Sequence, residues 1–311
     1  MNYQHTPWSN LFNLFEYVVK PGDLAPEFDP SLYRLLHEDM KGLDDEQLAS
    51  HYLHHGKREG RVASTSSHRR GFIKSINSDR GILEIGPFTK PAFSGEAVRF
   101  FDVLNKSSLL KRAAEVGYPT NDCPDIDYVS EKGDLSIVPS ESFCDVFSSH
   151  CIEHQPDLVA HLEHVSRILK EGGRYYLIIP DKRFCFDHFL PESDLSEVKR
   201  AHCEGRKVHT QKSIFEHYAL TTHSRPLDHW AGDHGDPNES NRFERARSAI
   251  ETHHNAAGAY VDVHAWQFTP SSFRTLISAL SREGIITLDV LRVYETVWGQ
   301  YEFCAVLEKT G

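Results

Sequence analysis

No stretch of this 311-residue chain is apolar over the length a membrane helix needs, and its first residues lack a basic region followed by a cleavable apolar segment. Neither a membrane-spanning nor a secreted protein is expected, and the location that follows is cytoplasmic. The six cysteines (Cys123, Cys144, Cys151, Cys185, Cys203 and Cys304) form no C-x-x-C pair, which points to reduced structural thiols rather than a zinc knuckle or a disulfide framework. Positive charge is also in short supply. A formal net charge of -11 leaves no surplus of Lys and Arg to track a phosphate backbone, so nucleic acid is not an expected partner. H-E-x-x-H and comparable metal signatures are missing as well.

What the chain does have is the stretch Arg80 to Pro91, RGILEIGPFTKP. Ile82, Leu83 and Ile85 form an apolar run that stops at Gly86-Pro87, the pattern of a buried parallel strand ending at a turn over which a ligand can lie. A second apolar run, Val98 to Val103, ends near Asp102, and the carboxyl ends of such strands are where α/β proteins bind ligands. A third strand over Asp127 to Ser130 leads to Gly133-Asp134-Leu135, and a fourth, Ser142 to Ser149, leads to His150. Pro156-Asp157 opens a helix striped by Leu158, Leu162, Val165 and Leu169, which Gly172-Gly173 is expected to end before a fifth strand, Tyr175 to Ile179. Thr269-Pro270 starts another helix. Ile285 to Val297 and Tyr301 to Leu307 read as two strands joined by a tight turn at Gly299-Gln300.

An acidic residue before a strand-ending glycine, with an Asp at the next strand end, resembles the opening of the class I S-adenosylmethionine (SAM) methyltransferases, of the methyltransferase-11 type. SSHCIEHQPD resembles that family's S-x-x-L-E-H segment, and HVSRILKEGGRYYLIIPD its R-x-L-K-P-G-G segment and fifth strand, with Glu171 in place of the usual Pro. A dinucleotide would bring a pyrophosphate that wants G-x-G-x-x-G, but Phe88, Thr89 and Lys90 stand where later glycines would be, which favours phosphate-free SAM over NAD. The resemblance implies an α/β fold, a doubly wound Rossmann-like seven-stranded sheet with an antiparallel last strand. It also implies SAM as cofactor, held around Glu84, Gly86, Pro87, Asp102, Asp134, Leu135, Ser149 and His150.

Two segments flank this core. Residues 1–66 read as a helical module, with Leu11 to Val19 at helical spacing and Asp44 with Gln47 as a capping box for a helix ending at Gly56. Ala63 to Ser67 is expected as the linker to a methyltransferase domain over 67–311. HYLHHGKREGR resembles a module found beside glycosyltransferases, which implies a glycosyltransferase partner or self-association. The second segment, about 182–268, is far longer than the usual loop of about 4 to 6 residues and holds three helical pieces and half of the twenty histidines. PDKRFCFDHF and SIFEHYAL within it resemble methyltransferases of polysaccharide biosynthesis. Aromatic faces and planar polar groups bind sugars, so Arg183, Asp228, Trp230 and Trp266 are the expected acceptor residues, with a sugar or glycan hydroxyl as acceptor.

A hydroxyl must lose its proton, and histidine suits that at neutral pH. His264 is the first candidate base, with His150 and His229 behind it. Asp187, His188, His229, Asp233, His234 and His264 could alternatively ligate a metal, but Ser148-Ser149-His150 stands where metal-dependent relatives carry an Asp. Metal-free O-methylation is therefore the expected chemistry, against N- or O-methylation of a small metabolite or a silent scaffold in a glycan-assembly complex.

Overall fold

Strand β1, Ile82–Ile85, is buried along its whole length and lies inside a seven-stranded sheet, third from one edge. The structure is a computed structural model and describes residues 21–237, 239 and 241–310. The other strands are β2 (Val98–Asp102), β3 (Tyr128–Val129), β4 (Phe143–Ser149), β5 (Leu169–Pro180), β6 (Leu288–Val293) and β7 (Glu302–Lys309), in the order β3-β2-β1-β4-β5-β7-β6. The first five run parallel, and β7 is antiparallel to both β5 and β6. This is the Rossmann-like sheet expected from the sequence.

Helices cover both faces. Those of the described residues are α1 (Pro30–Leu36), α2 (Asp45–His51), α3 (Arg69–Ser75), α4 (Lys106–Val116), α5 (Leu158–Ile168), α6 (Leu195–Cys203), α7 (Gln211–Ala219), α8 (Pro226–Trp230), α9 (Arg242–Ala256) and α10 (Pro270–Arg282). Most start at a short polar side chain that takes up an orphan amide of the first turn. Asp157 accepts from Ala160 in α5, Asp194 from Glu197 in α6, and Thr269 forms a capping box with Ser272 in α10. The larger core lies on one face, where Leu162, Val165, Phe273, Ile277 and Leu280 of α5 and α10 meet Leu83, Val146, Leu177 and Phe303. The second lies on the other face, where Phe72 of α3 and Tyr294 pack on Ile82, Phe147, Tyr176 and Val306.

Three expectations are corrected. The α5 helix stops at Ile168 rather than at Gly172-Gly173, because Leu169 already pairs with Phe143 and the two glycines lie within β5. A Cβ on Gly173 would come within 2.9 Å of the Cys144 carbonyl, so this glycine serves a close backbone approach, not a helix cap. The turn at Gly299-Gln300 is present, with Gln300 N donating to the Val297 carbonyl (3.0 Å), but it does not join the last two strands directly: β6 ends at Val293, and Tyr294 to Tyr301 makes a longer connection. The polar stretch expected as a linker is buried, with Ala63 at 0% and Ser66 at 1% exposure. Small side chains permit that packing as readily as they permit flexibility. The capping box at Asp44 and Gln47 is present, and the helix it starts continues through a wider turn to Gly56. The expected helix over Leu11 to Val19 lies outside the described residues.

The long connection holds the N-terminal segment against the sheet. Tyr294 donates to the Ala25 carbonyl (2.8 Å), Trp298 N to Gly60 (2.8 Å), and Val293 N to the Glu27 carboxylate (2.8 Å). Arg274 pairs with Glu27 and Lys57 with Glu295. Removing residues 1–66 uncovers Tyr294 and Val297, now 0% and 3% exposed, together with these polar partners. A chain starting at residue 67 is expected to melt about 5 to 10 °C lower than the full chain by scanning calorimetry, the scale of a few kcal/mol lost from a domain this size. An unchanged melting temperature would mean that the docked segment adds nothing to stability.

Candidate active site

The parallel strands deliver their carboxyl ends to one edge. Ile85 lies opposite Phe101 on one side and Ser148 on the other, so the residues that follow β1, β2 and β4 emerge side by side. Gly86 turns the chain there with φ +70°, and a Cβ at this position would meet nothing within 4 Å. The space above the turn is open. Phe88 (φ +50°) and His150 (φ +51°) also adopt the left-handed region on this edge, which costs a non-glycine residue about 1 to 3 kcal/mol and persists only where packing dictates it.

The expected cofactor residues divide into two groups. Asp102 and Asp134 stand at the end of β2 and after β3. Asp102 ends β2 at 7% exposure, its Oδ1 accepting from Leu104 N (3.0 Å), and burial raises its carboxyl above the ordinary range. Asp134 is exposed and caps the turn Leu135–Ile137, whose Leu135 belongs to the large core. Glu84 faces the loop that follows Pro87, itself buried: it accepts from Ala92 N (2.8 Å) and Phe93 N (3.2 Å). Burial outweighs those hydrogen bonds and pushes the Glu84 carboxyl up to about 7. Its demonstrable work is to shape the loop.

Ser149 and His150 are tied to Glu302, a residue with no signal in the local sequence. The antiparallel register places Glu302 opposite Pro180, hence at the same edge. Its carboxylate accepts from Arg69 Nε and Nη2 (2.8 and 2.7 Å) and from His150 Nε2 (2.8 Å), while Arg69 also donates to Ser149 Oγ (2.8 Å). Burial works against the charge, yet the bonds from His150 and Arg69 hold the Glu302 carboxyl down at about 2. His150 is thus a paired side chain rather than a free base.

His264 is the centre of a second group. Its Nδ1 lies 2.6 Å from Asp187 Oδ2, and since a carboxylate only accepts, Nδ1 carries a proton; in the neutral ring the lone pair is then on Nε2. Asp187 is 1% exposed and Glu153 is 0% exposed. Neither Glu153 oxygen has a hydrogen-bond partner; His150 Nδ1, His154 Nε2 and His264 Nε2 surround the carboxylate at 3.6, 3.8 and 4.0 Å. A buried carboxylate so placed needs a neighbouring cation. Burial opposes a charged His154, but Asp262, 3.0 Å from its Nδ1, and Glu153 raise its pKa above the ordinary value. The Cys151 thiol is pushed up to about 12 by burial, with Glu153 and Asp102 adding to it.

The expected acceptor residues are mostly engaged within the protein. Trp266 is 3% exposed, packs in the large core and donates to the Gln155 carbonyl (2.6 Å), so it offers no open face to a sugar. Trp230 stacks on Phe184 at 3.8 Å and donates to Gln300 O (2.8 Å). Arg183 forks onto the fully buried Asp181, and Asp228 pairs with Arg225 (2.8 Å). His229 has both ring nitrogens occupied, Nε2 by the His223 carbonyl (3.0 Å) and Nδ1 by His234 Nδ1 (3.1 Å).

No protein-family model and no curated protein matches this chain. Solved structures of similar shape include the CurJ carbon methyltransferase, 14% identical over 78% of this chain and 53% of that one, with a TM-score of 0.36. The chain therefore spans about half the length of that protein. A SAM-dependent methyltransferase from Methanosarcina mazei is 14% identical over 75% of this chain and 94% of its own, TM-score 0.35. A protein from Rhodobacter sphaeroides described as a Zn-dependent alcohol dehydrogenase is 13% identical over 75% and 85%, TM-score 0.39. A shared fold does not choose a chemistry, which has to come from the site.

The Glu302 cluster sets an acid limit. A carboxyl depressed in the folded state contributes stability that is present above its unfolded pKa, near 4.5, and is lost as pH falls toward 2. In Glu302→Gln, urea unfolding should show about 2 kcal/mol less stability at neutral pH, somewhat below the full shift because Arg69 is partly exposed, and a shallower fall between those pH values. Parallel profiles for the two proteins would remove Glu302 from this role.

Proposed function

We propose that the protein is a SAM-dependent methyltransferase acting on a hydroxyl, with His264 as general base. The observation that carries this reading is the conjunction of an open, glycine-ended β1, a buried Asp102 at the end of the neighbouring β2, and the His264–Asp187 pair, which Glu153 links at 4.0 and 3.6 Å to His150 at the end of β4. The residues fit such a cofactor: Gly86 leaves room for close approach, and Asp102 stands at the strand end where ribose hydroxyls are bound in this class of fold. Asp134 follows β3, where the resemblance assigns contact with the adenine amino group. When bound, SAM supplies an electrophilic methyl on a sulfonium.

The chain's own residues do the rest. Asp187 holds the His264 ring with Nδ1 protonated, so that Nε2 accepts the proton from the acceptor hydroxyl. The resulting imidazolium lies between two buried carboxylates, Asp187 at 2.6 Å and Glu153 at 4.0 Å, which stabilise the charge as it forms. Alignment of acceptor and methyl group supplies the remainder of the acceleration. For the acceptor class we read a sugar or glycan, a reading supported by the N-terminal resemblance and by the polar side chains of 182–268, with Trp266 excluded by its burial.

Calorimetry with S-adenosylhomocysteine is the direct test. Wild-type protein should bind it, Asp102→Ala should lose most of that affinity, and His264→Ala should keep it. With a hydroxyl acceptor identified, His264→Ala should lower kcat by about two to four orders of magnitude. Absence of binding to the wild-type chain would overturn the cofactor reading, and full activity in His264→Ala would overturn the base.

A further inference from the structure

We infer that His188, His229 and His234 form a binding site for a divalent transition metal, zinc being one of the ions that imidazole ligands suit. The three residues converge from two places in the chain: His188 follows the turn after β5, while His229 and His234 flank the end of α8. One nitrogen from each lies within 4.8 Å of the others. In zinc sites those nitrogens stand about 2.0 to 2.1 Å from the ion, and the other ring nitrogen is usually fixed by a carbonyl or carboxylate.

That outer arrangement is already in place for two of the three. His188 Nδ1 lies 2.7 Å from the Arg183 carbonyl, which can only accept, so His188 Nε2 keeps its lone pair. His229 Nε2 lies 3.0 Å from the His223 carbonyl, so His229 Nδ1 keeps its lone pair too. His229 is 2% exposed, and its bare Nδ1 faces His234 Nδ1 at 3.1 Å. The His234 backbone is held by Thr222, whose hydroxyl donates to the His234 carbonyl (2.7 Å). Without an ion the pair closes by a proton on His234 Nδ1, with the His234 ring stacked on His188 at 3.8 Å. The three rings lie nearly parallel, His188 within 11° of His234 and 19° of His229, so binding an ion requires the rings to turn out of this stack until their lone pairs meet, which leaves coordination positions for solvent. The ion would then clamp the 223–235 segment to the root of the insertion. This site is separate from the Glu153, His154 and His264 group, and the inference does not depend on the proposed methyl transfer.

The test uses the full chain without an affinity tag, stripped with chelator and titrated with Co²⁺. One equivalent per chain should bind with micromolar or tighter affinity and give the intense visible bands of a low-symmetry nitrogen site, and Zn²⁺ should displace it. His188→Gln and His234→Gln, both at partly exposed positions, should lose those bands while circular dichroism stays unchanged, and His154→Ala should retain them. Failure of the wild-type chain to bind Co²⁺, retention of the bands in both glutamine variants, or their loss in His154→Ala alone would overturn the inference. The wild-type titration decides the matter even if a variant fails to fold.

Discussion

The parallel pairing of β1 with β2 on one side and β4 on the other is the constraint on which the rest depends. Both pairings run in step from Ile82, so Ile85, Phe101 and Ser148 come level and the chain leaves three strands at one place. Parallel strands need crossovers, and these put helices on both faces, which is why β1 is buried throughout and its turn opens only along the edge. Asp102 ends β2 at that edge, Gly86 and His150 follow β1 and β4 directly, and Glu153 lies in the turn after β4. The antiparallel β7 adds to it from the opposite direction, since its first residue, Glu302, pairs with Pro180.

Buried carboxylates at this edge do different work according to what faces them. Glu302 has Arg69 and His150 within 2.8 Å, and their attraction exceeds the cost of removing the charge from water. Glu84 has only backbone amides, and burial wins, so its proton is held up to about pH 7. Asp181 is fully buried but receives Arg183 and Thr296, which anchors the end of β5. Glu153 has no direct hydrogen bond and a ring of imidazoles at a greater distance.

Most of the fold was legible because it rests on local signals. The β1 run ending at Gly86, the caps at Asp157, Thr269 and Asp44, and the helices of the insertion all depend on residues within one turn of each other. The site was legible only in part. Asp102 and the His264 candidate follow from strand ends and residue type, but Asp187 and Glu302 reach their partners across 77 and 152 positions of sequence. Nothing near Glu302 marks it, and the neighbourhood of Asp187 marks it only as a candidate metal ligand, not as the partner of His264. Trp266 shows the converse: an indole has a large apolar face in either setting, and composition cannot say whether that face meets a sugar or the core, where it is found. Ala63 to Ser67 misled for a similar reason, since small polar residues fit a close-packed junction as well as an exposed linker.

The high histidine content finds a structural account in one short segment. Asp181 fixes where that segment begins, with its amide donating to Tyr301 and its carboxylate held by Arg183 and Thr296. Asp187 and His188 then stand next to each other in the chain while serving different partners: Asp187 grips His264, and His188 turns to the Arg183 carbonyl and stacks on His234. Turn hydrogen bonds from the amides of Phe184, His188 and Leu190 brace the backbone that Asp187 and His188 share, so each side chain reaches its own partner from a fixed base. The two histidine groups are chemically distinct, but they stem from adjacent residues of one braced segment.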